Sequence, residues 1–441
     1  MANTYLTRTP SSASNRKTWT WSAWVKRSNL DTGDIHVLFQ ALDGSYPEKL
    51  QFKTNYVLEY DHDIAGSDYT LRAAMLFRDT SAWYHIVVAK DTTQATETNR
   101  LKIYVNGEQQ TLTEVQLGYP PQNYDGAINN NVAHHIGSNN GSEFFDGSMS
   151  HIHFIDGTAY DATAFGETDA TTGEWKAKTS PSVTYGTNGF LILKDGNTIT
   201  DQSSNSNAFT LSGGTLTDLK DNPDNVFATL NPLDNIAAST FSNGNNTVAT
   251  VNGNAACNTS TIGALTGKWY WEVKMTAGES NSEAYIIGLV NKSPVVTGYN
   301  GSILANGFGL RGDGNINNIS GGTTGGWNTF AVNNIINVAI DFDNGKAYFG
   351  TNGVYGNSSN PSTASNGYSF TVGDEFWRMA VNCRETSKDG IFQCNFGNGY
   401  FGTTAITTNS GNGYSGAEGS SKFNYTVPTG YSALSTKGLN E

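Results

Sequence analysis

Cysteine and charged residues are scarce in this chain of 441 residues, and long hydrophobic runs are absent. The three cysteines, Cys257, Cys383 and Cys394, leave at least one thiol unpaired, which excludes a disulfide framework. Cys383 and Cys394 are able to pair with each other, but we expect buried free thiols. Only 15% of the residues are charged, so the chain is not a disordered polyelectrolyte. Because no run of about 18 apolar residues occurs, no membrane-spanning helix is expected.

Positive charge is the rarer sign. The chain has 26 Lys and Arg residues against 39 Asp and Glu residues, which gives a net charge of −13. No basic stripe is available to offset repulsion by phosphates, so nucleic acid is an unfavourable partner. The first ten residues, Met1 to Pro10, contain no apolar core of signal-peptide length, and we therefore expect no export signal.

Turn-forming residues and aromatic residues are abundant instead. The 49 glycines and the 12% of aromatic residues are typical of many short strands joined by loops. In each half, alternating apolar residues lead into Asn-Gly, a pair that favours tight hairpin turns. These segments run from Leu101 to Gly107 and from Val338 to Gly353. The pattern predicts an all-β protein with one β-sandwich in each half.

Each half also contains a tryptophan-rich strand. Residues spaced by two along a strand share one face of the sheet. The residues predicted to share a face are Trp19, Trp21, Ala23 and Val25 in the first half and Trp269, Trp271, Val273 and Met275 in the second. Trp24 should lie on the opposite face.

The length suits two large β-domains. We place the first domain at residues 1–220, with a polar extension from about residue 156 that contains weak strands. Residues 221–236 hold two prolines and few strand signals, and they are predicted to form an irregular linker. The second domain is placed at 237–441. Its tail, including Phe423 to Tyr431, is too apolar to be free and should dock on a domain or on a neighbouring subunit.

These segments resemble known families. Residues 18–155 are similar to a laminin-G-like or concanavalin A-like jelly roll in four segments: Trp-Ser-Ala-Trp-Val-Lys, Trp83-Tyr-His-Ile-Val-Val, Leu-Lys-Ile-Tyr-Val-Asn-Gly and Phe145-Asp-Gly-Ser-Met-Ser-His-Ile-His-Phe. Residues 237–400 resemble a SPRY domain in Gly267-Lys-Trp-Tyr-Trp-Glu-Val, Ile287-Gly-Leu-Val, Phe308-Gly-Leu and Val338-Ala-Ile-Asp-Phe-Asp-Asn-Gly. The resemblance implies two tandem concanavalin A-like jelly-roll sandwiches joined by the irregular linker.

The combination of both sandwiches with the linker and the tail also resembles structural proteins of marine bacteriophages. That resemblance implies a non-enzymatic virion protein, such as a tail fibre, spike or capsid-surface protein, made in the host cytoplasm. The expected partners are other virion proteins, host cell-surface polysaccharide and further copies of the chain in a homo-oligomer. Two alternatives remain open: a purely structural capsid decoration or cement protein, and a glucanase-like polysaccharide depolymerase.

One strand carries a pattern that a glycosidase could use. Glu59, Asp61 and Asp63 are spaced by two, so their carboxylates should project from one face. Retaining glycosidases need two carboxyl groups about 5–5.5 Å apart, one as nucleophile and one as acid. Concanavalin-like glucanases use an E-x-D-x-E strand, and here the last acid is the shorter Asp. We favour a solvated polar strand face and predict no catalytic residue.

Metal ligands are weakly indicated. His151 and His153 should place two imidazoles on one strand face, which is a spacing that can contribute to a metal site. Laminin-G-like folds often hold calcium through loop carboxylates and carbonyls, and Asp125 and Asp146 are the available acids. Asp-Gly is also a good turn on its own. No other cofactor is expected.

Aromatic residues in loops are the candidate contacts for a sugar. A ring presents a flat apolar area next to hydrogen-bonding groups, which suits the face of a pyranose. The candidates are Tyr119, Tyr124, Tyr299, Trp327 and Tyr355. Trp327 is the first choice, because the flanking glycines would let a ligand approach closely. The alternative is that these rings cap the sandwich cores or fill subunit contacts.

Overall fold

The computed structural model describes residues 3–30, 33–196, 198–234, 239–250, 256–292, 306–317, 322–383, 388–407 and 414–439. These residues belong to two compact units, Met1–Asp218 and Leu219–Glu441. Within the described ranges, no helix is long and apolar enough to cross a membrane.

The first unit consists of short strands and three single-turn 3-10 helices within its described residues. The strands are β1 (Tyr5–Arg8), β2 (Thr18–Arg27), β3 (His36–Asp43), β4 (Tyr46–Lys53), β5 (Val57–Ile64), β6 (Ser67–Leu76), β7 (Tyr84–Asp91), β8 (Leu101–Val105), β9 (Glu108–Gln109), β10 (Leu112–Glu114), β11 (His134–Ile136), β12 (Gly147–Asp156), β13 (Gly166–Thr168), β14 (Trp175–Ala177), β15 (Phe190–Ile192) and β16 (Thr210–Ser212). The 3-10 helices span Thr54–Tyr56, Glu97–Asn99 and Ala162–Ala164.

Two sheets of the first unit enclose its core. The eight-stranded sheet has the order β10-β6-β5-β4-β3-β11-β1-β16, and the six-stranded sheet has the order β15-β12-β2-β7-β8-β9. Trp19, Trp21, Ala23 and Val25 of β2 share a face, as predicted, and are buried in this core. Trp24 lies on the other face, where its ring stacks on His85 at a centroid distance of 5.0 Å.

The polar segment after residue 156 is an integral part of the first sandwich. Its strand β15 pairs with β12 at the edge of the six-stranded sheet. Its strand β16 pairs with β1 at the edge of the eight-stranded sheet. The segment that composition marks as an extension therefore completes both layers.

The second unit has the same two-layer organisation. Its strands are β17 (Thr240–Ser242), β18 (Thr247–Thr250), β19 (Ala256–Ala264), β20 (Lys268–Ala277), β21 (Tyr285–Val290), β22 (Gly307–Arg311), β23 (Ile316–Asn317), β24 (Thr323–Thr324), β25 (Ile335–Asp341), β26 (Lys346–Thr351), β27 (Val354–Tyr355), β28 (Tyr368–Ser369), β29 (Trp377–Cys383), β30 (Gly390–Asn395), β31 (Tyr400–Phe401), β32 (Thr404–Ala405) and β33 (Ser432–Ala433). It also contains 3-10 helices at Pro232–Asp234 and Pro361–Thr363 and a short helix α1 at Thr436–Leu439.

The core of the second unit lies between a nine-stranded sheet and a six-stranded sheet. The main path of the first is β17-β18-β30-β20-β25-β26-β27, with β28 on β26 and β33 on β20, and the second has the order β19-β29-β21-β22-β23-β24. Trp269, Trp271, Val273 and Met275 of β20 share a face, as predicted, and are buried between the two sheets. The prediction of an all-β fold is confirmed.

The described part of the predicted linker packs into the second unit. Phe227, Ala228 and Leu230 are completely buried. Phe227 forms an isolated bridge with Ser435, and Leu230 forms one with Ser260. The segment is irregular, as its composition indicates, but it does not behave as a free connection.

The C-terminal tail docks on the second unit, on the face of the nine-stranded sheet that points away from the core. Phe423 and Tyr431 are buried in a cluster with Tyr270 and Tyr348. Beneath them, the fully buried carboxylate of Glu272 accepts hydrogen bonds from the backbone N–H groups of tail residues 424 and 425, at 2.9 and 2.8 Å. The prediction that this apolar tail is not free is confirmed.

The three cysteines are buried free thiols, as expected. Burial raises the pKa of the Cys257 and Cys394 thiols, which keeps them protonated and unreactive at neutral pH.

The Asn-Gly turns adopt two different backbone geometries. Asn106-Gly107 and Asn352-Gly353 both take positive φ at both residues, which is the tight hairpin geometry predicted for them. At the turn between β25 and β26, only Gly345 is left-handed. The Asn344 side chain instead bonds back to the Asp341 carboxylate at 2.8 Å.

Candidate functional site

A buried ion pair joins the two sheets of the first sandwich at one end. Glu48 of β4 and Lys90 of β7 both point between the layers, and both side chains are fully inaccessible. Lys90 Nζ lies 2.6 Å from Glu48 Oε1 and 5.6 Å from the ring centroid of Trp19. A buried charge is tolerated only when it is paired and hydrogen-bonded, and this pair meets both conditions.

Further hydrogen bonds complete the pair. The Tyr60 hydroxyl donates to Glu48 Oε1 at 2.6 Å, and the backbone N–H of Ile128 donates to Oε2 at 2.9 Å. Burial alone would raise the pKa of Glu48, but Lys90, His62 and the hydrogen bonds from Lys90 and Tyr60 together lower it to about 2. Burial lowers the pKa of His62 to about 4, so its imidazole is neutral at pH 7.

The ion pair fixes the loop of residues 123–130, in which residues 126–129 are buried. The Ile128 hydrogen bond attaches one side of this loop to Glu48. Gly126 lies so close to the pair that a Cβ there would be 2.1 Å from Glu48 Oε2 and 2.4 Å from Lys90 Nζ. A larger residue at that position would have to displace the side chains of the buried pair.

Arg16 ties the same loop to the neighbouring turn. Its Nε donates to the Gly126 carbonyl at 2.5 Å, and its Nη2 donates to the Asp43 carboxylate at 3.1 Å. Nη2 also lies 3.4 Å from the Asp125 carbonyl. Asn130 donates a second hydrogen bond to Asp43, at 2.7 Å. We call Arg16, Asp43, Tyr124 and Asp125 the rim cluster.

Tyr124 is the aromatic residue of the rim cluster. Its side chain is half-buried, and its ring packs edge-on against His62 with a centroid distance of 5.3 Å. Its carbonyl accepts a hydrogen bond from Thr92 at 2.9 Å, which fixes the backbone. Tyr119 precedes it by five residues but packs more against the core of the sandwich. Tyr124 therefore combines an accessible ring with charged neighbours.

The other aromatic candidates do not form this kind of surface. Trp327 is only 7% exposed and packs edge-on against Phe349 in the core of the second unit, so the expectation of an accessible ring is wrong. The preceding Gly326 is exposed and takes a φ of 96°, a turn conformation that favours glycine. Tyr355 packs beside the tail, and its hydroxyl is buried without a partner among the described residues. Tyr299 lies outside the described residues.

The predicted pair of imidazoles on β12 is interrupted by a β-bulge. The register with β2 shifts between Ser150 and His153, and His151 takes a φ of 50°. The side chains of His151 and His153 nevertheless line one pocket together with His85, as their spacing indicates. His153 is buried, and its Nδ1 is hydrogen-bonded to the Tyr185 hydroxyl at 2.9 Å.

Ser22 and His85 look like a nucleophile–base pair but are not one. Their Oγ and Nε2 atoms lie 2.9 Å apart. The indole N–H of Trp175, which can only donate, points at His85 Nδ1 at 3.0 Å, so the proton of the neutral imidazole is on Nε2. In that tautomer His85 donates to Ser22 and cannot accept its proton, as activation of a serine would require.

The acidic calcium candidates are not part of a metal site that the structure defines. Asp125 presents its carbonyl to Arg16, and the carbonyl of Asp146 accepts the backbone N–H of Ser28. Burial raises the pKa of the Asp146 carboxyl, which disfavours its charged form. Within the described ranges, no group of three or more His, Cys, Asp or Glu side chains is arranged to hold a metal ion.

The carboxylates of β5 form cross-strand ion pairs. Glu59 accepts from Arg72 of β6 at 2.9 Å, and Asp61 lies 3.7 Å from Lys49 of β4. Asp63 caps the following turn. Glu59 is 3% exposed, so the expected solvated strand face is wrong for this residue. Pairs of this kind stabilise a sheet, and we assign them a structural role.

Comparisons with known proteins agree with the fold. The Laminin_G_3 family model, described as the concanavalin A-like lectin/glucanases superfamily, matches residues 2–162. No curated protein matches the chain.

Similar solved structures are distant. One is the SPRY domain of human HERC1, at 13% identity over 37% of this chain and 96% of that chain, with a TM-score of 0.32. Mouse laminin alpha1 domains LG4-5 share 8% identity over 86% and 78%, with a TM-score of 0.29. A SAP-like pentraxin from Limulus polyphemus shares 13% over 36% and 72%, with a TM-score of 0.27. These scores carry no argument about function.

Sequence reasoning missed the charged residues of the site. Arg16, Asp43, Glu48 and Lys90 are separated by up to 74 positions, and only the fold brings them together. One signal was available for the buried pair: Glu48 alternates with the core residues Leu50 and Phe52. A charged residue in a core-facing register predicts a buried partner.

The two units should respond to acid in opposite ways. All seven histidines are in the first unit. Burial lowers the pKa of His85 and His153 to about 3 and that of His134 to about 4. Between pH 6.5 and 5 these three histidines therefore gain protons in the unfolded first unit but not in the folded unit. The unfolding free energy of the first unit should fall by about 1–2 kcal/mol for each of them.

In the second unit, burial raises the pKa of Glu272 to about 7, against its hydrogen bonds. The folded state therefore takes up a proton first as the pH falls, and this group's contribution to stability increases. Calorimetry of the full chain at pH 6.5 and pH 5 should show the two transitions moving apart. His153→Gln should weaken the response of the first transition only. Movement of both transitions in one direction by the same amount would contradict these assignments.

Proposed function

We propose that the protein is a non-enzymatic surface protein of a bacteriophage virion that binds host-surface glycan through the rim cluster of its first sandwich. The observation that carries the proposal is the rim itself. A half-buried tyrosine packs on His62 within electrostatic range of the Arg16–Asp43 pair, on a loop held in place by a buried ion pair. A flat ring with polar groups at its edge is the combination that sugar binding uses.

The match of residues 2–162 to a family named for lectins and glucanases supports the glycan part of the proposal. The ion-paired state of Glu59 and Asp61 supports binding without hydrolysis. The location in a virion and the host polysaccharide rest on the resemblance to bacteriophage structural proteins. Other virion proteins would hold the chain in place, and a homo-oligomer would multiply weak contacts into avidity.

Removal of the Tyr124 ring should weaken glycan binding. In Tyr124→Ala the loop keeps its backbone hydrogen bonds to Thr92 and Glu48, but the apolar platform is lost. Loss of a stacking contact of about 1–2 kcal/mol corresponds to roughly a five- to thirtyfold weaker affinity. Binding of the full chain to an array of bacterial surface glycans measures this effect.

The matched control is Tyr414→Ala, which removes a tyrosine that is 38% exposed in the second unit and should leave binding unchanged. An array that stays blank for the wild-type chain, together with binding to assembled capsids, would replace the proposal by a purely structural decoration role. Immunogold labelling of intact virions tests the proposed location, since tail and capsid labelling imply different roles.

A further inference from the structure

The oxygen atoms around Arg16 resemble the ligands of a bound cation. The guanidinium of Arg16 lies at the position that such a cation would occupy. One carboxylate, from Asp43, and two main-chain carbonyls, from Asp125 and Gly126, converge on the guanidinium at 2.5 to 3.4 Å. Carboxylate and carbonyl oxygens are the ligands that hard divalent cations require. Here the chain supplies the positive charge itself, and a second cation at this place would be repelled by the guanidinium.

Arg16 and Asp43 each keep an unused hydrogen-bonding atom at the surface. Arg16 uses Nε and Nη2 in the contacts described, and its Nη1 has no partner among the described residues. The Asp43 carboxylate accepts both of its contacts on Oδ2, which leaves Oδ1 without a partner in the same ranges. The side chains are 25% and 44% exposed. The pair therefore offers a donor and an acceptor to solvent.

We propose that the rim cluster binds a neutral pyranose without a divalent cation, with adjacent hydroxyl groups bridging Arg16 Nη1 and Asp43 Oδ1 and the sugar face on Tyr124. This inference rests on the proposed function and specifies its ligand class. One hydroxyl accepts from the guanidinium and its neighbour donates to the carboxylate. Both bonds involve an ionised partner and are stronger than bonds between neutral groups.

The charges of the rim disfavour an acidic sugar. Asp125 is exposed, both Asp125 and Asp43 lie within electrostatic range of Tyr124, and the chain as a whole carries a net charge of −13. One guanidinium that is already shared with Asp43 does not offset two carboxylates facing an anionic ligand. A uronic acid should therefore bind less well than the neutral sugar of the same configuration.

The test measures affinity of the full chain for matched neutral, uronic-acid and O-methylated glycans, in EDTA and in excess Ca²⁺. We expect equal affinity with and without Ca²⁺, preference for the neutral sugar, and loss of binding when either of two adjacent hydroxyls is methylated. Arg16→Gln and Asp43→Asn should each weaken binding by about tenfold to a hundredfold, since each removes a charged hydrogen-bonding group. Arg78→Gln, at an exposed arginine of the same unit, should have no effect.

The methylated sugars test the wild-type chain, so the result does not depend on how well the variants fold. This inference would be overturned if binding disappears in EDTA, if the uronic acid is preferred, or if Arg16→Gln leaves the affinity unchanged. Each of these results would still agree with the proposal that the protein binds a glycan. Absence of binding to every glycan would instead contradict the proposed function on which it rests.

Discussion

Lys90→Met should lower the unfolding free energy of the first unit by about 3–5 kcal/mol, because it leaves the Glu48 carboxylate buried without its cation. Both side chains are fully inaccessible to solvent. Within the described residues, the Glu48 carboxylate is the only hydrogen-bond partner of Lys90 Nζ. Urea unfolding of the full chain, followed by pulse-labelling hydrogen exchange of peptides from β4 and β7, measures the loss locally.

Two controls separate the buried pair from a general effect of the substitution. Lys176→Met makes the same change at a lysine that is 42% exposed and paired with Asp169, where the expected loss is below about 1 kcal/mol. The double variant Glu48→Gln/Lys90→Met should regain much of the stability, because no uncompensated charge remains. Equal losses for Lys90→Met and Lys176→Met would contradict the role assigned to the pair.

Phe423→Ala should release the C-terminal tail of the second unit. The Phe423 ring is completely buried and packs edge-on against Tyr270 at a centroid distance of 4.8 Å. Removal of a buried phenylalanine costs about 3–5 kcal/mol. Tyr431 and Ala433 remain buried further along the tail, so we expect local detachment of the segment around Phe423 before the sandwich unfolds. Trypsin, which cleaves after Lys422, should then cut the full chain there much faster than in the wild type.

Leu439→Ala is the control in the same tail, because Leu439 is 46% exposed and its loss removes little buried area. Its cleavage after Lys422 should remain as slow as in the wild type. Equal cleavage rates in Phe423→Ala and the wild type would show that the Glu272 contacts hold the tail without the ring.

The core was predictable from the sequence because alternation has a local cause. Trp19 and Trp21 share a face with Val25 whatever surrounds them, and the structure buries all three. The docked tail was predictable for a related reason, because burial of apolar residues such as Phe423 is favourable. Strands β15 and β16 were recognisable only as weak strands, because short edge strands carry little pattern.

The site was less predictable because distant parts of the chain create it. Tyr124 was a candidate by composition, but its charged neighbours Arg16 and Asp43 come from other loops and turns. Trp327 failed as a candidate because its burial depends on Phe349, which local sequence does not reveal. His151 and His153 line one pocket, as their spacing indicates, although a bulge lies between Ser150 and His153.

The claim that the protein holds a glycan without cutting it has one direct test. A host polysaccharide that the full chain retains is incubated with excess protein, and its chain length and reducing ends are measured against untreated polymer. We predict retention with unchanged length and no new reducing ends, identical for the wild type and Glu59→Gln. Shortened polymer that is protected by Glu59→Gln would contradict the account and assign the strand carboxylates to catalysis.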